Sequence, residues 1–203
     1  MKHSYSAMKT FATCPRQYEA LYLLRNVPRK SSPALEKGIA WHEAMEKALE
    51  GAPLPAHLTW WQGLVDKLRA AGAVPERKVA VTRELKPTGF FDDDVWLRGA
   101  IDVQLHGGKR CLMIDWKTGK VYPDPLQAEV YALMQWAEHP AVTIGFAFAY
   151  LEHKRTVSVD VDKGSTARVV AFLERIEATE VFTPRPCFAC RFCPVTSCEY
   201  NEA

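Results

Sequence analysis

Ile114-Asp115-Trp116-Lys117-Thr118-Gly119 decides how the rest of this chain is read. It closes an apolar run that begins at Cys111, and Gly119 ends it. Side chains alternate between the faces of a strand, so Asp115 and Lys117 share a face. A carboxylate and an ammonium side by side at a strand end are either paired or chemically active. A surface ion pair is the plain alternative, and the surrounding sequence has to decide between the two.

Upstream, Gly107-Gly108 is a hairpin signal. It makes Arg110 to Lys117 the third strand, antiparallel to a second from Trp96 to Leu105 that is interrupted by Gly99 and carries Asp102. A first strand follows Pro75, where Val79, Val81 and Leu85 mark the alternation. The turn between these two strands holds the acidic run Asp92-Asp93-Asp94. Downstream, Asp124 caps a helix with Pro125 at its first position, and Leu126, Val130, Leu133, Met134 and Ala137 form its core stripe. Gln127 and Tyr131 share an adjoining face of that helix. Val142 to Leu151 reads as a strand buried on both sides, and Thr156 to Val161 as a more exposed one. Asp162 or Ser165 starts a last helix that runs through Ile176.

The N-terminal part reads as helical. One or two short helices cover residues 4–26, with Ser4 and Ser6 as possible caps and Met8, Phe11 and Ala12 on the apolar face. After a loop from Asn26 to Ser31, Ser32 caps a helix with Pro33 first, running to about Leu49. Gly38 and His42 lie on one face of it. A linker at Gly51, Pro53 and Pro55 leads to a helix from about His57 to Ala71, with Trp60, Trp61, Leu64, Val65 and Leu68 apolar. The pattern predicts a single α/β domain over residues 1–203, a mixed central sheet flanked by helices.

The chain has 203 residues, 48% of them apolar and 25% charged, a globular composition with one core. No apolar run approaches the length of a membrane span, and Met1 to Ser6 leads into a polar helix with no signal-peptide character. No membrane partner is expected and a cytoplasmic location is. The six cysteines should then be reduced or metal-bound. The net charge of +2 is unevenly spread. Lys2, Lys9, Arg16, Arg25, Arg29 and Lys30 face only Glu19 in the first thirty residues, and Arg185 and Arg191 face no acid between Thr183 and Cys198. If the two ends meet, they make a patch suited to phosphates.

Two constellations carry chemistry. The tail over 183–198 holds Cys187, Cys190, Cys193 and Cys198, a strong soft-metal signal that spacing alone does not divide between zinc and an iron–sulfur cluster. Cys187, or a distant cysteine, supplies the fourth ligand. The second constellation is Asp115 and Lys117 with Asp102 and His42. Phosphodiester hydrolysis needs a divalent ion to neutralise phosphate and activate water. Carboxylates suit Mg²⁺ or Mn²⁺, with imidazole better tolerated by Mn²⁺. Asp102 and Asp115 on neighbouring strands can converge on one ion, His42 can complete the site, and Lys117 can serve the attacking water.

In order along the chain, Cys14-Pro15-Arg16-x-Tyr18, Gly38-x-x-x-His42, Gly99-Ala100-Ile101-Asp102, Ile114 to Gly119 and Gln127-x-x-x-Tyr131 resemble the PD-(D/E)xK nuclease superfamily in its RecB-like branch. The tail resembles the iron–sulfur subset, which includes CRISPR-associated and AddB-type exonucleases. The resemblance implies a restriction-endonuclease-like fold in which a cluster joins the N-terminal helix to the tail. It implies Mg²⁺ or Mn²⁺ held by His42, Asp102, Asp115 and the backbone carbonyl of Trp116. Lys117 would be catalytic, with Gln127 and Tyr131 positioning it or the DNA. A structural 4Fe–4S cluster would sit on Cys14, Cys190, Cys193 and Cys198, leaving Cys111 and Cys187 as spares, with Cys187 in place of Cys14 as the other arrangement. The implied activity is exonucleolytic, on single-stranded or end-containing DNA, in a bacterial, archaeal or phage-infected cell. Its partners would belong to recombination, replication or CRISPR adaptation. The rival readings are a non-catalytic DNA-binding or assembly subunit with the same fold, and a zinc-stabilised adaptor.

Overall fold

Strand β3 (Arg110–Lys117) divides the two cores of the computed structural model, which describes residues 1–28 and 31–201. Its alternation sends Cys111 and Met113 into one core and Ile114 and Trp116 into the other. Among the described residues the sheet has five strands in the order β1 (Val74–Val81), β2 (Leu97–Gly107), β3, β4 (Thr143–Tyr150) and β5 (Arg155–Val159). Only the β3–β4 pair is parallel. A parallel neighbour needs a crossover, and helix α5 (Pro125–Glu138), capped by Asp124, provides it.

The larger core joins α5 to α1 (Tyr5–Thr13) and α6 (Gly164–Glu177), with Met8, Phe11, Leu133, Phe148 and Leu173 buried between them. On the other face lie α3 (Pro33–Glu50), a 3₁₀ segment (Ala56–Trp61) and α4 (Gln62–Ala70), packed through Met45, Leu58, Trp61 and Val65 onto Trp116. The short α2 (Pro15–Tyr18) runs on into a π-helical turn (Glu19–Leu23).

The sheet is irregular at one place. The β2–β3 ladder runs from Gly107↔Arg110 to Val103↔Ile114 and stops where Asp102 and Asp115 would face each other. Beyond that rung the N-terminal segment takes the place beside β2 that β3 has left. His3 N–H donates to the Trp96 carbonyl at 2.7 Å, and Arg98 N–H donates to the His3 carbonyl at 3.1 Å. The β1–β2 register lacks the same rung: Pro75↔Val103 and Arg77↔Ile101 pair, while Glu76, with φ at 45°, does not pair with Asp102. Ile101 belongs to the α5 core and Val103 to the α3 core, so the alternation of β2 also breaks at Asp102.

Glu177 at the end of α6 ties this N-terminal insertion down. It accepts from Trp96 Nε1 at 2.8 Å, His3 Nε2 at 3.1 Å and Arg83 Nη1 at 2.5 Å. Partial burial opposes its charge, but these three donors outweigh it and bring the carboxyl from 4.5 down to about 2. A depressed carboxyl pKa stabilises the fold above its unfolded value, and that contribution is lost as pH falls from about 4.5 toward 2. Glu177→Gln should therefore lower Tm at pH 7 by roughly 5 °C, the loss of charge-assisted bonds in a chain of this size. It should also flatten the acid limb of the Tm–pH curve. A variant whose acid limb overlays the parent's refutes this assignment.

Several expectations from sequence are corrected. The helix predicted over about His57 to Ala71 is a 3₁₀ segment followed by a shorter α-helix, and Trp60, one of its apolar residues, is exposed, under Lys154. Leu85 lies outside β1, in a turn with φ at 57°. Ser4 caps α1, accepting from Ala7 N–H, whereas Ser6 lies within the helix. Helix α6 starts at Gly164, and Ser165 is buried in its first turn. Arg29 and Lys30, within the predicted loop and counted in the basic N-terminal stretch, lie outside the described residues.

Candidate active site

The parting of β2 and β3 frees backbone groups that a continued ladder would pair, and the site is built on them. Trp116 N–H donates to Asp102 Oδ2 at 2.8 Å in place of a β2 carbonyl. Within a strand the N–H and C=O of one residue point to the same side, so the Trp116 carbonyl opens toward the same gap. The Lys117 carbonyl faces the other way, accepting from Leu151 N–H at 2.7 Å. The Trp116 indole is buried against Trp61 in the α3 core, so that residue offers the gap only its backbone.

Asp115 and Lys117 share a face, as their spacing predicts, and α5 closes over them. Lys117 Nζ stands 2.6 Å from Asp115 Oδ2. Gln127 bridges the pair: its Nε2 donates to Asp115 Oδ1, and its Oε1 accepts from Lys117 Nζ at 2.8 Å. The ammonium also lies 5.4 Å from the centre of the Phe148 ring. His42 reaches in from α3, with Nδ1 3.3 Å from Asp102 Oδ2.

Tyr131, one turn beyond Gln127 on α5, is buried against Gly99 of β2. A Cβ at Gly99 would stand 2.6 Å from the ring, so the glycine sets how closely α5 approaches the sheet. The phenol remains protonated because burial pushes its pKa up, and the charges of Asp115 and Asp102 add to that. Ahead of α5, Tyr5 O–H donates to the capping Asp124 at 2.7 Å and fixes the start of the helix.

The electrostatics are dominated by crowded carboxylates. Asp115 is raised to about 7, first by burial and then by the charge of Asp102, with Lys117 and His42 opposing. Apart from the Lys117 ion pair, no hydrogen bond from the described residues reaches its buried Oδ2. The His42 imidazole is disfavoured as a cation by burial, yet its bond to Asp102 and the charges of Asp102 and Asp115 bring its pKa above the usual value. Sequence reasoning missed Glu76. Its carboxyl is half-buried and raised, by burial and then by Asp102 and Glu46, and it lines a cleft of 530 Å³ with Leu35, Ile39, His42, Glu46 and Thr118. Its sequence signal is slight, since a lone acid after Pro75 reads as a strand start; its left-handed backbone opposite Asp102 is visible only in the fold.

This arrangement fits a divalent cation. It concentrates carboxylates around a buried oxygen that one lysine only partly satisfies, beside an imidazole and an open carbonyl, all hard or borderline donors. Among the described residues, no three His, Cys, Asp or Glu side chains form a group placed to hold a single ion. Asp102 and His42 instead bond each other, and Asp115 bonds Lys117 and Gln127.

The cysteines gather elsewhere. Cys14, between α1 and α2, lines one cavity with Cys187, Cys190, Cys193 and Cys198. The two ends of the chain meet here: Arg185 N–H donates to Cys14 Sγ at 3.4 Å, and its guanidinium donates to the Ala12 carbonyl. Cys187 N–H donates to Cys190 Sγ at 3.3 Å. The Cys193 thiol is raised by burial and by its neighbours Cys14, Cys198 and Cys190. Cys111 is apart, buried under α5 beside Gln104 and Gln135.

A family model described as the PD-(D/E)XK nuclease superfamily matches residues 2–198. A solved structure titled "Crystal structure of SSO0001" is similar in fold, with a TM-score of 0.59 at 17% identity, covering 100% of this chain and 88% of that one. No curated protein matches. No described helix is long and apolar enough to cross a membrane.

Proposed function

The chain belongs to the PD-(D/E)XK nuclease superfamily, and from that premise we propose that it is a DNA exonuclease of the RecB-like kind carrying a structural 4Fe–4S cluster. The observation that carries the reading is the parting of β2 and β3 at Asp102 and Asp115, with Lys117 held at the opening by Gln127. His42, Asp102, Asp115 and the Trp116 carbonyl would hold Mg²⁺ or Mn²⁺. When bound, the ion supplies Lewis acidity to the scissile phosphate and its attacking water.

The protein's own groups do the rest. Gln127 keeps the Lys117 ammonium aimed beside Asp115, where it can orient the water and meet charge developing on phosphate. Asp102, anchored by Trp116 N–H, holds the His42 ring in place. Tyr131, seated on Gly99, fixes the height of Gln127 above the sheet. Cys14, Cys190, Cys193 and Cys198 would hold the cluster, which is supported by their shared cavity and by the neighbours of Cys193. Residues 1–203 would act as one domain, on a free or single-stranded end, in the cytoplasm, alongside recombination, replication or CRISPR-adaptation proteins.

The test uses anaerobically purified protein with end-labelled single- and double-stranded DNA, with and without Mn²⁺. Mononucleotides or short oligonucleotides should be released from ends only when Mn²⁺ is present. Binding without turnover in Mn²⁺ would replace this reading with that of a non-catalytic subunit.

A further inference from the structure

The N-terminal segment that fills the gap beside β2 also walls a second cavity, of 710 Å³, which none of the roles above uses. Lys2, Arg25 and Arg98 line it, with Tyr18, Tyr22 and Ser4, and among the described residues no acid does. Lys2 and Arg98 each use a donor on a backbone carbonyl and not on a carboxylate: Lys2 Nζ on Asp92 O at 2.7 Å, and Arg98 Nη1 on Phe90 O at 3.1 Å. Neither forms an ion pair among the described residues, and the acidic run Asp92-Asp93-Asp94 adjoins Lys2 from outside the cavity. Its size is that of a small-molecule or nucleotide site, and its charge calls for an anion. By contrast, the cleft beside His42 carries Glu43, Glu46 and Glu76 and repels phosphate away from the ion.

The cavity is close to the reaction along the chain. Arg98 precedes Asp102 by four residues of β2, about 13 Å of strand. A stacked strand advances about 3.4 Å per nucleotide, so this is within about four nucleotides of the scissile bond. We propose that the cavity is a phosphate-binding subsite that takes a phosphate of the substrate strand a few nucleotides from the one cleaved. The proposal rests on the nuclease reading. It gives the enzyme a second hold on the strand beyond the ion, and with it a register. The bound group is either a phosphate monoester at a strand end or an internal phosphodiester.

The test compares the parent with Lys2→Gln/Arg25→Gln, both on the exposed side of the cavity, after thermal melts establish equal folding. Affinity for single-stranded oligonucleotides is measured in Ca²⁺ over a range of KCl, and KM and kcat in Mn²⁺. The substrates carry a 5′-phosphate, a 3′-phosphate or hydroxyls at both ends. Removing the hold on this one phosphate should shrink the slope of log affinity against log salt by about 0.7. KM should rise roughly ten-fold with kcat within about two-fold, the pattern of lost uniform binding. A loss confined to one phosphorylated end identifies a terminal monoester, and an equal loss on all three identifies an internal phosphodiester. Unchanged slope and KM overturn the subsite. If the parent binds with the larger slope but never cleaves, the nuclease reading fails and the subsite stands.

Discussion

Lys117→Ala should abolish detectable cleavage, with end-labelled DNA surviving about a hundred- to a thousand-fold longer than with the parent, the scale seen when one preorganised charge-stabilising donor is removed. Affinity for DNA and the visible colour of the protein should both remain. The effect is large because nothing nearby can substitute. Lys117 supplies the ammonium held at 2.8 Å by Gln127 Oε1 and at 2.6 Å by Asp115 Oδ2. The imidazole of the site, His42, is engaged with Asp102, its Nδ1 3.3 Å from Oδ2. Lys117→Arg should not rescue, because a planar fork does not fit the pocket set by Gln127, Asp115 and the Phe148 face. Gln127→Ala should fall between, because it removes the positioning contact and leaves the charge. Undiminished digestion by Lys117→Ala would sink the mechanism, whatever the metal does.

The second large effect is on the fold. Cys14→Ser should give a protein that loses most of its broad visible absorption and its iron, and that melts far below the parent. A cluster joining Cys14 to Cys190, Cys193 and Cys198 closes almost the whole chain into one loop. By loop-closure entropy such a link is worth about 5 kcal/mol, as a crosslink over a loop of more than 100 residues would be. Arg185 bonds Cys14 Sγ and the Ala12 carbonyl, which holds the tail beside the first helix. Cys187→Ser should keep its colour. If Cys14→Ser keeps the parent's iron content and Cys187→Ser loses it, the ligand set is exchanged. A colourless parent from strictly anaerobic purification, with stoichiometric zinc, would remove the cluster altogether.

What could be read in advance was local or ordered along the chain. The shared face of Asp115 and Lys117 follows from the two-residue period of a strand. Ser32, Asp124 and the prolines after them mark helix starts through backbone donors that need an acceptor. The succession of Cys14, His42, Asp102, Asp115–Lys117, Gln127–Tyr131 and the cysteine tail is carried by one-dimensional spacing. Gln127 illustrates the boundary. Its place on α5 was legible, but nothing in the chain states that it grips both members of the acid–lysine pair at once.

Glu76, Tyr5 and His3 were illegible for a related reason. Each acts through a neighbour remote in sequence: Glu76 opposite Asp102, Tyr5 on Asp124, and His3 in the space β3 vacates beside β2. Gly99 looked like an interruption of a strand, and its reason is the Tyr131 ring packed on it from α5. By itself the sequence determined the kinds of element, their order, and the chemical types brought to the site, because period, caps and turn residues act over a few bonds. Only the tertiary structure decided that β2 and β3 part at Asp102 and Asp115, since a ladder ends where packing of α3, α5 and the inserted N-terminus outweighs its next hydrogen bonds. That parting turns an ordinary-looking acid–lysine pair into a site where Asp102 takes the Trp116 N–H and Gln127 grips both Asp115 and Lys117.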